Sequence, residues 1–387
     1  MRIAVDNGAL SDGHSVRGIG VMVREQIQAI RKETLKDEAL TIDGVDLEKT
    51  SLGKYDIFHY PYFFPYSPTL PAKKTNQKVI VTIQDLIQLV YPKNYPPGIR
   101  GRIDFTKQKL RLKNVDGIIT ISETSKKDIV RFLGVKPEKI RVIYLAPKKI
   151  FKPITNLPAD KTGYQSLITT KRKYKLPERF VLYVGDVNYN KNILTLIKAC
   201  KIAKLPLVIC GKQALEIEEG DTDLRSLSGP QDWIRFLRGK PHPELAHYQA
   251  LLSEFRNNSK IIRLGFVSDN DLVVIYNLAS VYCQPSLYEG FGFPVLEAMA
   301  CGIPVVISRT NALMEIAGGA ALIAETENSK DIAEKITKVL KNPSTLLRTS
   351  SNTKECLRKK GFEQVKKYSW EKTAKETIQF YKQILKS

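Results

Sequence analysis

The stretch from 281 to 308, VYCQPSLYEGFGFPVLEAMACGIPVVIS, decides how the rest of the chain is read. It has the pattern strand, loop, short helix, strand. Residues 281–284 are apolar and β-prone, and Pro285-Ser286 ends the run. In Glu289-Gly290-Phe291-Gly292 two glycines let the backbone approach a ligand closely. Pro294 suits a first helical turn, because its missing N–H is not needed there and its φ is already helical. The predicted helix runs through Val295, Leu296, Glu297, Ala298 and Met299, Gly302 stops it, and 303–307 makes the next strand. The N–H groups and positive dipole end of that helix point back at the glycine loop, where a phosphate would be favoured. Glu289 in the loop and Glu297, expected in the first turn, add two carboxylates. Phosphate-binding N–H groups beside paired acceptors suit a ligand with phosphate at one end and vicinal hydroxyls at the other, as in a nucleotide sugar.

A chain of 387 residues suits two domains of roughly 150–200 residues each. A hydrophobic share of 43% supports ordinary cores, and 26% charged residues are typical of a globular protein. No apolar run is long enough to cross a bilayer, and Met1-Arg2 leads directly into a strand ending at Asp6, without a secretory signal pattern. The five cysteines are scattered, with no C-x-x-C, which predicts a reducing cytoplasmic setting and no structural metal. Lys and Arg number 61 against 40 Asp and Glu, a net charge of +21 that favours anionic partners. Nucleic acid is set aside, because no finger spacing, aromatic RNA-binding signature or helix-turn-helix gathers the basic residues.

The spacing of Glu289 and Glu297 around the glycines and Pro294 resembles the donor-site motif of retaining glycosyltransferases of family 4, which have the two-domain GT-B fold. The resemblance implies that Glu289 contacts the donor sugar's hydroxyls and Glu297 the ribose hydroxyls. It also implies that the backbone of Gly290, Phe291, Gly292 and Phe293 meets the sugar and diphosphate. It is specific over 178–310 and diffuse over 1–150.

The N-terminal half has the same β-α rhythm. The strand at residues 2–5 leads through a polar loop to Gly18-Ile19-Gly20, which opens a helix with Val21, Val23, Ile27 and Ile30 at helical spacing. Val23 stands where a dinucleotide fingerprint has its third glycine, which argues against an NAD enzyme. Family relatives carry a similar G-x-G, so Gly18 and Gly20 are expected to face the donor diphosphate across an interdomain cleft. His59 ends a strand that precedes an aromatic loop, and is read either as the family's histidine at this place or as a histidine bonded inside a packed turn. Residues 78–83 form a strand ending at Gln84-Asp85, where many relatives read His-Asp; Gln84 can donate a hydrogen bond but cannot carry a proton. Residues 99–114 form a basic amphipathic helix with an apolar stripe of Ile103, Phe105, Leu110 and Leu112, suited either to packing on its own sheet or to an anionic membrane surface.

Prolines and lysine clusters mark 151–177 as a linker. Beyond it, 180–184 is a strand, and Lys191 in the following loop matches the family's diphosphate lysine. The basic partner that relatives often carry is absent, with Asp186 and Asn190 at those places. Val267 sits in Gly265-Phe266-Val267, which resembles the base-contacting loop, and Ser268 with Asp271 predicts a capping box. Residues 211–246 read as loops before a helix, with His242 and His247 as surface residues, and 343–361 reads as a helical stretch. The expected architecture is therefore α/β, of the GT-B type, with two Rossmann-like doubly wound domains facing each other across a cleft. The first, acceptor-side domain spans 1–150 and is joined by a C-terminal helix at 369–387; the second, nucleotide-sugar-binding domain spans 178–368.

The resemblance implies retaining transfer of a hexose, mannose favoured, from GDP-mannose to a glycan or lipid-linked acceptor at the cytoplasmic face of a membrane. Neither a metal nor a cofactor is expected, and Glu289, Lys191, Asp85 and Gln84 are the expected catalytic group. A UDP-glucose or UDP-GlcNAc donor, and a non-catalytic nucleotide-sugar-binding protein, are the alternatives.

Overall fold

The computed structural model describes residues 1–8, 18–35, 40–47, 52–154, 161–219, 243–341 and 353–387. The chain divides into two compact units, Met1–Ala146 with Tyr368–Ser387, and Pro147–Lys367. Each is a six-stranded parallel sheet.

In the first unit the strands are β1 (Arg2–Asp6), β2 (Thr41–Val45), β3 (Ile57–Tyr60), β4 (Lys78–Ile83), β5 (Gly117–Thr120) and β6 (Ile140–Val142), in the order β2-β1-β3-β4-β5-β6. Helix α1 (Gly18–Thr34) follows β1, α2 (Gly98–Arg111) follows β4, and α3 (Glu123–Asp128) follows β5 with the Ser122 hydroxyl accepting from the Ser125 N–H. In the second unit α4 (Lys161–Lys173) precedes β7 (Val181–Val184), and α5 (Ile193–Ala203), β8 (Leu207–Cys210), α6 (Gln213–Glu219), α7 (Pro243–Arg256) and β9 (Ile261–Gly265) follow. Then come α8 (Asp269–Leu278), β10 (Val281–Gln284), α9 (Phe293–Ala300), β11 (Val305–Ser308), α10 (Asn311–Ala317) and β12 (Leu322–Ala324). Helices α11 (Ser329–Leu340) and α12 (Thr353–Val365) end that unit, and α13 (Trp370–Lys386) returns to the first, where it packs along α1.

The second sheet has the order β12-β11-β10-β7-β8-β9. The chain builds outward from β7 to β9 and then returns to the other side of β7 with β10. The crossovers diverge between β7 and β10 and leave a crevice at their carboxyl ends, the place where open α/β sheets bind ligands. Its strands read as continuous apolar runs because both faces are covered. Val181, Tyr183, Leu207, Ile209, Val281 and Cys283 join the core on one face, while Leu182, Val208, Cys210, Tyr282, Val305 and Ile307 join the core on the other. Burial pushes the Cys210 and Cys283 thiols above their ordinary range, so both are small core residues.

Three sequence expectations are corrected. Residues 161–173, expected within a linker, form helix α4, and Leu176 is buried in the core of the second unit. Their apolar positions are too sparse to outweigh the surrounding lysines in a sequence reading, yet the helix packs on α8. Residues 213–219, expected as loop, form α6. The predicted stripe of the basic helix splits: Phe105 and Leu112 pack against the first unit's core, whereas Ile103 and Leu110 are exposed. The expected helix over 343–361 lies partly, and His242, expected at the surface, wholly outside the described residues.

The carboxyl ends of β7 and β8 meet backbone to backbone. The Gly185 N–H donates to the Cys210 carbonyl at 2.9 Å, and a Cβ on Gly211 would stand 2.1 Å from the Gly185 oxygen. Gly211→Ala is expected to cost about 2–3 kcal/mol, whereas Gly53→Ala, with nothing within 4 Å of the added carbon, is expected to be near neutral. Denaturant melts of the two variants check this, and equal stabilities would contradict it.

Candidate donor site in the second unit

Two loops leave the sheet at the divergence of its crossovers: 185–192 after β7 and 285–292 after β10. They bring Lys191 and Glu289 together. The Lys191 ammonium donates to both carboxylate oxygens of Glu289, at 2.8 and 2.9 Å. Glu289 is 7% exposed, so its charge depends on those bonds rather than on water.

The two carboxylate oxygens are not equivalent. Oε1 also accepts from Gln284 Nε2 at 2.8 Å and from the Ser286 hydroxyl at 2.6 Å. Among the described hydrogen bonds Oε2 receives Lys191 alone, which leaves it capacity for a further donor such as a sugar hydroxyl. Gln284 is oriented by Tyr282, whose hydroxyl donates to its Oε1, so the amide NH2 faces Ser286 and Glu289. Sequence reading missed both Gln284 and Ser286; the signal was a polar pair closing an otherwise apolar strand at its carboxyl end.

Asn190 and Asn192 fix the lysine loop from either side. Asn190 is buried, its Nδ2 donates to the Tyr288 carbonyl at 3.1 Å, and its own carbonyl accepts from the Leu287 N–H at 2.7 Å. Asn192 adopts φ +57°, a conformation that asparagine tolerates, and donates to the carbonyls of Pro285 at 3.0 Å and Thr326 at 2.8 Å. Asn190, at a place where the family resemblance implies a base, holds the two loops together. A further layer supports the lysine loop. Gln213 Oε1 accepts from the Val187 N–H at 2.7 Å, and the Val187 carbonyl lies 2.8 Å from His247 Nε2. His247, expected at the surface, is therefore buried, and desolvation lowers its pKa. Two of its partners, Val187 and Tyr189, come from the loop after β7, so local sequence reading could not detect the burial.

The glycine loop ends at Gly292, which has φ +118° and no side chain with which to cap α9. A Cβ there would lie 2.9 Å from Leu313 Cδ2. Pro294 falls in the first turn, as predicted. Glu297 does not: α9 begins at Phe293, so this glutamate sits one turn further in, and its own Cα–Cβ direction carries the side chain back toward the loop. Its carboxyl accepts from the Tyr276 hydroxyl at 2.9 Å. Desolvation raises its pKa to about 7, outweighing the Tyr276 hydrogen bond and the Lys148 charge that pull the other way. Gly290 and Phe291 are buried, Phe293 is half-buried with its ring 5.2 Å from that of Phe291, and Val267 is buried after β9.

The remaining expected residues belong to the first unit. Gly18 and Gly20 open α1. Gln84 is buried at the end of β4, with Nε2 donating to the Pro61 carbonyl at 2.6 Å. Asp85 is half-buried and accepts from the Ile87 N–H at 3.2 Å. His59 is fully buried, with Nδ1 2.7 Å from the Tyr381 hydroxyl and Nε2 2.7 Å from the Thr82 hydroxyl, and desolvation lowers its pKa to about 3. It is a packed, hydrogen-bonded histidine. No group of three or more His, Cys, Asp or Glu that could hold a metal ion occurs among the described residues.

A carboxyl whose folded pKa of about 7 exceeds its ordinary 4.5 binds its proton more tightly in the fold. Its contribution to stability is complete below the ordinary value and is lost as pH rises through 7. Glu297→Gln, neutral at every pH, is expected to match the parent near pH 4.5 and to exceed it by roughly 3 kcal/mol at pH 8. Thermal melts across that range check this, and a stability difference independent of pH would contradict it.

Two family models match the chain: "Glycosyl transferases group 1" over residues 168–356, inside the second unit, and "Glycosyltransferase Family 4" over 45–146, inside the first. The chain is 27% identical over 364 residues to the O-antigen chain mannosyltransferase B of Escherichia coli, covering 91% of this chain and 81% of that one. It is also 27% identical over 328 residues to the serotype-specific mannosyltransferase WbdA of Escherichia coli, covering 83% of this chain but only 35% of that longer protein. Among solved structures, sucrose-phosphate synthase from Thermosynechococcus elongatus superposes with a TM-score of 0.69 at 20% identity, covering 99% of both chains, a likeness of fold. With a family match in each of its two units, the chain belongs to the group 1 and family 4 glycosyltransferases.

Proposed function

We propose that this glycosyltransferase moves a mannose residue from GDP-mannose, with retention of configuration and without a metal, to a hydroxyl of a glycan or lipid-linked acceptor at the cytoplasmic face of a membrane. The observation that carries the reading is the Lys191–Glu289 pair, in which one carboxylate oxygen is saturated by the protein and the other retains acceptor capacity. In this reading Oε2 of Glu289 accepts from a hydroxyl of the donor sugar. Lys191 and the N-terminal N–H groups of α9 offset the charge that develops on the diphosphate. Glu297 takes the ribose diol, Val267 lies along the base, and Gly18 and Gly20 attend the diphosphate. The mannosyltransferase names of the relatives favour mannose over glucose or N-acetylglucosamine.

The bond from the sugar's anomeric carbon to the phosphate oxygen breaks, with its electron pair leaving on GDP. The acceptor oxygen bonds to that carbon on the same face, and its proton passes to the leaving phosphate. No side chain needs to act as covalent nucleophile, and the protein contributes orientation and preorganised charge. Gln84 and Asp85 would line the acceptor-side contribution. With its Nε2 on Pro61, Gln84 acts there by position rather than as a proton carrier.

A thermal-shift panel with GDP, UDP, GDP-mannose, UDP-glucose and UDP-GlcNAc, each with and without EDTA, reads the donor class. A ligand at about a hundredfold its Kd adds about 2.7 kcal/mol of stability. The expected result is stabilisation by GDP and GDP-mannose that EDTA leaves unchanged; stabilisation by UDP ligands alone would replace the donor. Glu289→Ala is expected to lose roughly 100-fold or more in turnover, and unchanged turnover would remove the assignment.

A further inference from the structure

Two buried phenols in contact with each other hold the two glutamates of the donor site. Tyr276 of α8 and Tyr282 of β10 are fully buried, and their rings pack with centroids 5.9 Å apart and planes inclined at 51°. Tyr282 acts on Glu289 through Gln284, whose Nε2 donates to Oε1 of that carboxylate at 2.8 Å. Tyr276 acts on Glu297 directly, its hydroxyl donating to Oε2 at 2.9 Å. The next acceptor, the Pro294 carbonyl, lies at 3.4 Å, so the single phenol proton is committed to the carboxylate. Phe151 also packs edge-on against the Tyr276 ring, at 5.7 Å, and the ring has little freedom to turn. Among the described hydrogen bonds Glu297 Oε1 receives none, as Oε2 is the oxygen that Tyr276 holds. Glu297 is half-buried whereas Tyr276 is fully buried, so a ligand can reach the carboxylate but not the phenol behind it.

We propose that Tyr276 is a positioning residue for nucleotide recognition: by occupying Oε2 of Glu297 it fixes the plane of the carboxylate and presents Oε1 to the 2′- and 3′-hydroxyls of the donor's ribose. The inference rests on the role proposed above for Glu297 and names the residue that makes this role possible. An ionised carboxyl accepts from both hydroxyls of a diol, whereas a protonated one loses acceptor capacity and adds a donor. Burial opposes the ionised form of Glu297 most strongly, and the Tyr276 hydrogen bond is the largest influence in its favour, ahead of the Lys148 charge; Asp269 adds to the opposition. Lys148 is itself paired with Asp269 at 2.7 Å, which offsets its charge. Tyr282 and Cys301 also face this carboxyl, and burial keeps both neutral. Tyr276 is therefore the main support of a carboxylate at this place. Were it only a packing residue, ribose recognition would be indifferent to its hydroxyl.

The test is calorimetric titration of GDP and 2′,3′-dideoxy-GDP, and of UDP and its dideoxy analogue, into the parent, Tyr276→Phe, Glu297→Gln and the double variant. The ratio of the dideoxy Kd to the ribonucleotide Kd isolates the ribose contact, and Tyr276→Phe removes one oxygen while keeping the ring. For the base that binds, the parent ratio at pH 8 is expected to be roughly 10- to 100-fold. Tyr276→Phe should reduce it by about tenfold, weakening the ribonucleotide while leaving the dideoxy analogue within about twofold. A folding defect would instead weaken both ligands alike. In the Glu297→Gln background the same substitution should change the ratio by less than about twofold, because the two residues act as one unit. The parent ratio should also fall as pH is lowered through about 7, a readout that needs no variant, and in Tyr276→Phe the fall should lie at higher pH. A Tyr276→Phe ratio equal to the parent's, or an effect that persists in Glu297→Gln, would overturn the proposal while leaving Glu297 as the ribose contact. A parent ratio near one would remove that contact from the proposed function and the inference with it.

Discussion

The second unit depends on placing two opposite charges where little water reaches them. Lys191 and Glu289 are 98 residues apart in sequence, and each sits at the start of a crossover from adjacent parallel strands. A buried ion pair is costly to form, because both groups lose hydration, and it persists only when the surrounding donors are supplied in full. Here Gln284 and Ser286 supply them on one carboxylate oxygen, and Tyr282 holds Gln284 in the orientation that makes this possible. The polar cluster is therefore rigid on its protein side and open in hydrogen-bonding capacity at Oε2. Such an arrangement suits recognition, since the cost of ordering the side chains is met before a ligand arrives.

The sheet order explains why the pair forms at this place. Because β10 returns beside β7 rather than beside β9, the loops after β7 and β10 are neighbours at the carboxyl edge of the sheet. Asn190 and Asn192 then tie one loop to the backbone of the other. The absence of a second cation at 190 is consistent with this role. A buried lysine or arginine at that position would have to satisfy the Tyr288 carbonyl and would add an uncompensated charge beside Lys191. In the proposed site, charge on the ligand would be left to one ammonium and to the helix end, which Gly292 leaves without a competing side-chain cap.

Much of this was legible in the sequence, for identifiable reasons. The strands of the second unit are short apolar runs bounded by Gly, Pro or polar residues, and β10 falls at 281–284 as the residues alone suggest. The capping box at Ser268 and Asp271 and the Pro294 start of α9 are local devices, and local devices can be read locally. What escaped depends on contacts distant in sequence. His247 is buried because Val187 and Tyr189 come to it from another element, and no feature of residues 243–256 announces that. Helix α4 was hidden by prolines on both sides and a lysine-rich surface. In α2 the apolar residues were visible, but the direction each faces was not: Phe105 packs on the core beside the docked Gly101 and Gln108, while Ile103 and Leu110 face outward. The register of Glu297 was read one turn too early because helix starts are fixed by the turn conformation at Gly292, which lies outside any propensity.

Sugar recognition by Glu289 and diphosphate recognition by Lys191, as proposed, are separable, and the most direct test separates them. Calorimetric titration of GDP and of GDP-mannose into the parent, Lys191→Met and Glu289→Gln reads both contacts at once. Loss of a hydrogen bond to a charged group costs about 1.5–3 kcal/mol, or roughly 10- to 100-fold in Kd. Lys191→Met should weaken both ligands by a common factor of that size. Glu289→Gln should weaken GDP-mannose while leaving GDP within about twofold of the parent. Parent-like binding of GDP-mannose to both variants would contradict the account, because the ion pair would then be part of the scaffold and the donor would be held elsewhere.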